Sequence, residues 1–114
     1  MHELSVCQGM LRQVAAIARE HQACGVESIT IKVGPLSGIE PGLLAQAFPL
    51  ARAGTVAEKA ALIIESLPVR VRCQSCGAES ETTPNRLLCG QCGDNQIQLL
   101  SGDEMLLASM ELMT

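Results

Sequence analysis

Aromatic side chains are almost missing from this sequence. Its 114 residues include one Phe and no Trp or Tyr, so any core has to be built from Leu, Ile, Val, Ala and Met. Proteins that bind single-stranded nucleic acid stack bases on aromatic rings and hold phosphates on a basic surface, whereas the formal net charge here is −4. Nucleic acid is therefore not expected as a partner.

Long apolar runs are missing as well. No apolar stretch approaches the length of about 20 residues that a membrane-spanning helix needs, and the first residues lack the basic start, apolar run and cleavage site of a signal peptide. Six cysteines would suit the disulfides of a secreted protein, but without an export signal their layout favours reduced thiols. We expect a cytoplasmic protein with no membrane partner.

The residue types that carry catalysis do not form a recognisable pattern. The sequence contains no evident pairing of a nucleophile with a base, no phosphate-binding loop and no zinc motif with an open coordination position. We therefore expect that the chain is not an enzyme.

The order of the apolar residues predicts an α+β protein. An amphipathic helix opens the chain, and Gly25 is its expected stop. A second helix is expected to begin at Pro41 and to be kinked or ended by Pro49. The apolar stripe of the first helix is Leu4, Cys7, Leu11, Val14, Ala18 and His21. The segments expected as strands are 29–33, 61–67, 69–72, 97–100 and 105–112.

These elements predict a small mixed sheet of about three strands with two helices, and a cysteine module inserted between two strands that pair with each other. We expect residues 1–68 together with 103–114 to form the α+β domain, which would bind nickel as argued below. Residues 69–102 are expected to form a zinc-ribbon subdomain.

Two Cys-x-x-Cys motifs, separated by twelve residues, are the strongest chemical signal. Glycine follows each motif, at Gly77 and Gly93, and allows the backbone to take a positive φ around the sulfur atoms. Four thiolates facing one another predict a closed, structural Zn(II) site, one per chain. Tetrahedral iron, two disulfides or a redox-active cysteine pair are the alternatives. The four candidate ligands are Cys73, Cys76, Cys89 and Cys92.

The start of the chain has the donor atoms for a second metal. The amine of Met1, the amide nitrogen of His2 and the imidazole Nδ1 of His2 can close fused chelate rings, and deprotonated amide nitrogens favour Ni(II) or Cu(II). The amide or the carboxylate of Glu3, or a carboxylate from elsewhere, can complete a square plane. A histidine at position 2 is weak evidence by itself, because most terminal residues are solvated.

Several segments resemble the hydrogenase maturation factor family HypA/HybF. They are the start of the chain (residues 1–5), residues 34–40, 54–58 and 101–105, and the two cysteine motifs. The agreement runs in order over essentially the whole chain. Pro49, inside the second helix, departs from the family pattern.

The resemblance implies a nickel metallochaperone with a structural zinc site. It implies that His2 and Glu3 bind nickel, that the Met1 amine and Glu40 are further candidate ligands, and that the four motif cysteines bind zinc. Such proteins deliver nickel to the large subunit of [NiFe]-hydrogenase with the GTPase HypB, and in some organisms also serve urease. A monomer or a weak homodimer is expected.

A zinc-ribbon interaction or nucleic-acid-binding module, in which His2 is incidental, is the alternative. Such a ribbon is expected to expose aromatic rings and a basic face. Residues 77–88, between the two cysteine motifs, contain one Arg, two Glu and no aromatic residue. This composition disfavours the alternative.

Overall fold

The computed structural model describes residues 3–114. Its two three-stranded sheets have the strand orders β2-β1-β6 and β4-β3-β5. In chain order the elements are α1 (Glu3–Glu20), β1 (Gly25–Val33), α2 (Pro41–Arg52), β2 (Ala61–Ser66), β3 (Val69–Cys73), β4 (Glu79–Thr82), β5 (Ile97–Ser101) and β6 (Met105–Met113). The α+β class with two helices is confirmed.

The chain divides into two compact units. The first consists of residues up to Lys32 together with Ile39–Glu65 and Leu106–Thr114, and the second consists of Val33–Gly38 and Ser66–Met105. The domain boundaries expected from the sequence stay a prediction. Neither helix in residues 3–114 has the length and apolar character that crossing a bilayer requires.

Helix α1 packs with a slightly different face from the one expected. Cys7, Leu11, Val14 and Ala18 are buried as predicted, and Met10 is buried with them. Leu4 is 38% exposed, and His21 lies beyond the helix end and is exposed, so these two positions were predicted wrongly. Glu3 lies four positions before Cys7 and so on the same face of the helix. Glu3, and not Leu4, is therefore the buried residue of the first turn.

The end of α1 was also predicted wrongly. Gln22 adopts a φ of 54°, its N–H donates to the Arg19 carbonyl at 3.1 Å, and the Ala23 N–H donates to the Ala18 carbonyl at 2.9 Å. These two bonds are those of a Schellman motif, which needs one residue in the left-handed conformation. Gln22 ends the helix, and Gly25 begins β1 instead.

Strand β1 is the centre of the first sheet, with Ile29 and Ile31 fully buried. The Leu67 N–H donates to the Val33 carbonyl, which places the ends of β1 and β2 side by side and makes these strands parallel. The Cys24 N–H donates to the Met113 carbonyl, so β6 runs antiparallel to β1. The expected mixed sheet of three strands is confirmed.

Helix α2 begins at Pro41, as predicted, and buries Leu44 and Phe48. Pro49 does not end the helix, which continues to Arg52. A proline at this position lacks the N–H that would bond to the carbonyl of Ala45, and the ring is exposed, so water can reach that part of the helix. The Arg52 guanidinium lies 5.5 Å from the centre of the Phe48 ring.

The second unit is built on β3, which pairs antiparallel with both β4 and β5. Because β3 and β5 flank the cysteine motifs in sequence, the expected insertion between two pairing strands is confirmed. Val69, Val71 and Cys73 point inward and are buried. Strand β4 was not predicted, because the sequence of Glu79–Thr82 is entirely polar and carries no apolar alternation.

Candidate metal centres

The two cysteine motifs form turns with the same backbone pattern. In the first, the Gly77 N–H donates to the Cys73 carbonyl at 2.9 Å, and in the second the Gly93 N–H donates to the Cys89 carbonyl at 3.0 Å. Gly77 and Gly93 have φ values of 77° and 75°. The predicted need for glycine after each motif is thus confirmed.

The four sulfur atoms face one another across these turns. All of them lie within 4.8 Å of one another, and the Cys73–Cys92 and Cys76–Cys89 sulfur pairs are both 3.6 Å apart. A disulfide would need about 2.05 Å, whereas a tetrahedral zinc with bonds of about 2.3 Å separates its sulfur ligands by about 3.8 Å. All four side chains are free thiols. The cluster fits a structural zinc site and is not a pair of disulfides.

The first cysteine of each motif is prepared to become a thiolate. The Cys76 N–H approaches the Cys73 sulfur at 3.4 Å and lowers the pKa of Cys73. The N–H groups of Cys92 and Gln91 approach the Cys89 sulfur at 3.4 and 3.3 Å and lower the pKa of Cys89 to about 6. These backbone dipoles stabilise negative charge on sulfur before any metal is present.

The second cysteine of each motif behaves in the opposite way. The Asp94 N–H lowers the pKa of Cys92, but the thiols of Cys73 and Cys89, with burial, outweigh it and raise that pKa to about 12. The pKa of Cys76 is also raised, since the Cys89 and Cys73 thiols outweigh the N–H of Ala78. Four thiolates are too close to ionise together in the absence of a cation. A divalent cation bound among the four sulfur atoms would allow all of them to ionise.

The candidate nickel ligands are only partly visible. Met1 and His2 lie outside the described residues. Glu3 is 9% exposed in the first turn of α1, and the backbone N–H groups of Glu3 and Glu40 act as hydrogen-bond donors to its carboxylate. The structure therefore brings Glu3 and the Glu40 backbone together, although the two residues are far apart in sequence.

The side chain of Glu40 has a structural role that was not predicted from the sequence. Its Oε1 accepts a hydrogen bond from the Gly42 N–H at 2.8 Å and caps the N-terminus of α2. An N-cap oxygen typically pairs with the second or third N–H of a helix. Glutamate directly before Pro41, a favourable first helical residue, was the available signal.

A family model matches residues 1–112, and its description is "Hydrogenase/urease nickel incorporation, metallochaperone, hypA". The chain belongs to this family. The resemblance noted in the sequence is thereby confirmed. HypA proteins are metallochaperones for hydrogenase maturation, so the expectation that the chain is not an enzyme is confirmed by its family, and the alternative of a nucleic-acid-binding module is set aside.

Two relatives and one solved structure show how far the likeness extends. The hydrogenase maturation factor HypA of Nitrosospira multiformis is 46% identical over 114 residues, which cover 100% of this chain and 99% of the relative. The factor of the same name from Aquifex aeolicus is 44% identical over 112 residues, covering 98% and 97% of the two chains. The solution structure of the Ni metallochaperone HypA from Helicobacter pylori aligns with a TM-score of 0.76 at 26% identity, covering 99% of this chain and 98% of that one.

Proposed function

We propose that this chain binds Ni(II) through its N-terminal segment and delivers it for assembly of the [NiFe]-hydrogenase active site. The observation that carries the proposal is the match of the HypA family model to residues 1–112. The matched residues include the Met-His-Glu sequence at the start. His2 supplies its imidazole and amide nitrogen, Glu3 supplies its amide or its carboxylate, and the Met1 amine and Glu40 are further candidate ligands.

The position of Glu3 supports this assignment. Glu3 lies in the first turn of α1, and its carboxylate accepts from the backbone N–H groups of Glu3 and Glu40. His2 is the preceding residue in the chain. A ligand set that includes one anchored residue can be prepared for binding and still release its ion one ligand at a time.

The cysteine cluster supports a separate role for zinc. Four cysteines leave no open position on a tetrahedral ion, as is typical of structural sites. Such an ion stabilises the fold of a small module and is not readily transferred. We assign one structural Zn(II) to Cys73, Cys76, Cys89 and Cys92, and the transferable Ni(II) to the start of the chain.

The proposal includes the partners and the compartment. The GTPase HypB supplies nucleotide hydrolysis, the large subunit of [NiFe]-hydrogenase receives the nickel, and the protein works in the cytoplasm as a monomer or weak homodimer without nucleic acid or membrane. The function is divided between the α+β nickel-binding domain (residues 1–68 with 103–114) and the zinc-binding subdomain (residues 69–102).

Nickel titration of the untagged chain tests the proposal. We expect a square-planar absorption band in the unaltered protein, and loss of tight nickel binding in His2→Ala with zinc content still near one per chain. His21→Ala is the matched control, because the chain has two histidines and His21 is exposed beyond the end of α1. Unchanged nickel affinity in His2→Ala, or sulfur-to-nickel charge-transfer bands, would show that the N-terminal assignment is wrong.

Delivery needs its own measurement. Nickel-loaded protein is mixed with HypB, GTP and the nickel-free hydrogenase large subunit, and the nickel content of the re-isolated large subunit is determined. We expect transfer from the unaltered chain and from His21→Ala, and a loss of transfer from His2→Ala. Equal transfer from all three proteins would contradict a role of the N-terminal segment in delivery.

A further inference from the structure

Two polar residues that are not metal ligands link the cysteine turns. Ser75 lies inside the first motif, between Cys73 and Cys76, and Asp94 follows the second motif. The Ser75 hydroxyl donates a short hydrogen bond to Oδ2 of Asp94. Nineteen positions of sequence separate the two residues, so this bond bridges the two turns directly.

Asp94 is at the same time fixed to the second turn. Its main-chain carbonyl accepts the N–H of Cys89 at 2.9 Å, and its Oδ1 accepts the N–H of Gln96 at 3.1 Å. The carboxylate therefore cannot turn away from Ser75 without losing the Gln96 bond. A further backbone bond, from the Gln74 N–H to the Gln96 carbonyl at 2.8 Å, joins the same two segments.

We propose that Ser75 and Asp94 form a clasp that holds the two cysteine turns face to face before zinc binds, and so act as positioning residues for the four thiolates. The Ser75–Asp94 bond joins the two turns directly and opposes their separation whether or not a metal is bound. A clasp that orders both turns in advance reduces the conformational entropy that zinc binding has to overcome.

The size of the effect can be set from similar metal sites. Loss of an outer partner that orients metal ligands typically weakens metal affinity about 10- to 100-fold. Since Ser75 and Asp94 act as one pair, the effects of removing them should not add. The ligands themselves remain the same four sulfur atoms in every variant, so the spectrum of the bound metal should not change.

Negative charge is the competing explanation for any effect of Asp94. A carboxylate beside the cluster attracts a divalent cation whether or not it bonds to Ser75. The variant Asp94→Asn separates the two causes. Its amide oxygen can accept the Gln96 N–H while its amide nitrogen donates to the Ser75 hydroxyl, so the clasp is kept and the charge is lost.

The experiment is a zinc competition titration of the full chain against a chromophoric chelator. We expect Ser75→Ala and Asp94→Ala each to weaken zinc binding about 10-fold or more. The zinc affinity of the double variant should be no lower than that of the weaker single variant. The zinc affinity of Asp94→Asn should stay within about threefold of that of the unaltered chain. Arg72→Ala is the matched control, because the Arg72–Glu79 pair at 2.9 Å lies on the exposed side of the same unit. It should leave zinc affinity unchanged.

The outcomes separate the clasp from the zinc assignment on which it rests. Cobalt(II) substitution should give the bands of a tetrahedral four-thiolate site in every variant at saturation. An unaltered chain without a tight zinc site would overturn both the assignment and the clasp. A Ser75→Ala variant with affinity within about twofold of the unaltered chain, additive single effects, or an Asp94→Asn variant as weak as Asp94→Ala would overturn the clasp alone.

Discussion

The Cys7 thiol donates a hydrogen bond to the main-chain carbonyl of Leu44 at 3.6 Å and so joins helix α1 to helix α2. Both residues are fully buried. Burial raises the pKa of Cys7, and the negative charge of Glu3 raises it further, so the group remains a neutral thiol that can donate. Cys7 is a core residue, as its place on the apolar stripe predicted.

Replacing Cys7 by Ala should lower the free energy of unfolding by about 1–2 kcal/mol, because the variant loses both buried volume and the bond to Leu44. Urea denaturation of the zinc-loaded protein measures the change. Cys24→Ala is the control, since the Cys24 thiol also donates to a carbonyl, that of Met113 at 3.2 Å, but is exposed, and its effect should stay within about 0.5 kcal/mol. Equal effects of the two substitutions would contradict the packing role of Cys7.

Gly34 is a position where no side chain fits. A Cβ atom there would lie 2.1 Å from the Gly102 carbonyl oxygen, while the Gly34 N–H donates to the Glu104 carbonyl at 2.9 Å and ties the segment in place. Gly34→Ala should therefore lower the free energy of unfolding by about 2 kcal/mol or more. Thermal unfolding followed by circular dichroism measures the loss.

The matched control for Gly34→Ala is Gly9→Ala, whose expected change in the free energy of unfolding has the opposite sign. Gly9 lies within α1, and a Cβ added there would lie 3.6 Å from the Arg12 guanidinium, an ordinary contact. Gly9→Ala should raise stability by about 0.5–1 kcal/mol, because alanine loses less backbone entropy in a helix. Destabilisation by both substitutions, or by neither, would show that the contact with Gly102 does not decide the effect.

Glu40 should affect stability without nickel. Glu40→Ala removes the N-cap of α2 and should lower the free energy of unfolding by about 1 kcal/mol. The measurement is made with zinc bound and without nickel. Glu40→Gln keeps an oxygen that can accept the Gly42 N–H and should retain most of that stability. If Glu40→Gln binds nickel more weakly at unchanged stability, the negative charge of Glu40 contributes to the nickel site. If Glu40→Ala is as stable as the unaltered chain, the capping role of Glu40 is wrong.

Zinc binding should release a number of protons that depends on pH. Because the pKa of Cys89 is lowered to about 6, its thiol is already ionised at neutral pH, and binding there should release fewer than four protons per ion. As the pH falls through about 6, Cys89 gains a proton that zinc must displace, so proton release rises toward four and apparent affinity falls more steeply. Calorimetry in buffers of different ionisation enthalpy measures the number of protons released per zinc ion. The same number at neutral pH and below pH about 6 would contradict the lowered pKa of Cys89.

Much of the metal chemistry was predictable from the sequence because it depends on local spacing. Two residues between paired cysteines and a glycine after each pair define a turn whatever surrounds it, and Gly77 and Gly93 adopt the positive φ that this turn needs. The strands on either side were predictable from their alternation. Strand β4 was not, because its four polar residues carry no pattern and are held by pairing with β3.

The sequence by itself determined the two cysteine turns, the central strand of the first sheet and the start of α2, since each follows from residues close together in the chain. Only the tertiary structure decided that Glu3 is buried beside the Glu40 backbone, that Cys7 bonds to Leu44 and that Ser75 meets Asp94. Each of these pairs is distant in sequence. Such contacts depend on how the helices and turns pack, and the apolar pattern of one element does not specify which polar atom of another will lie against it.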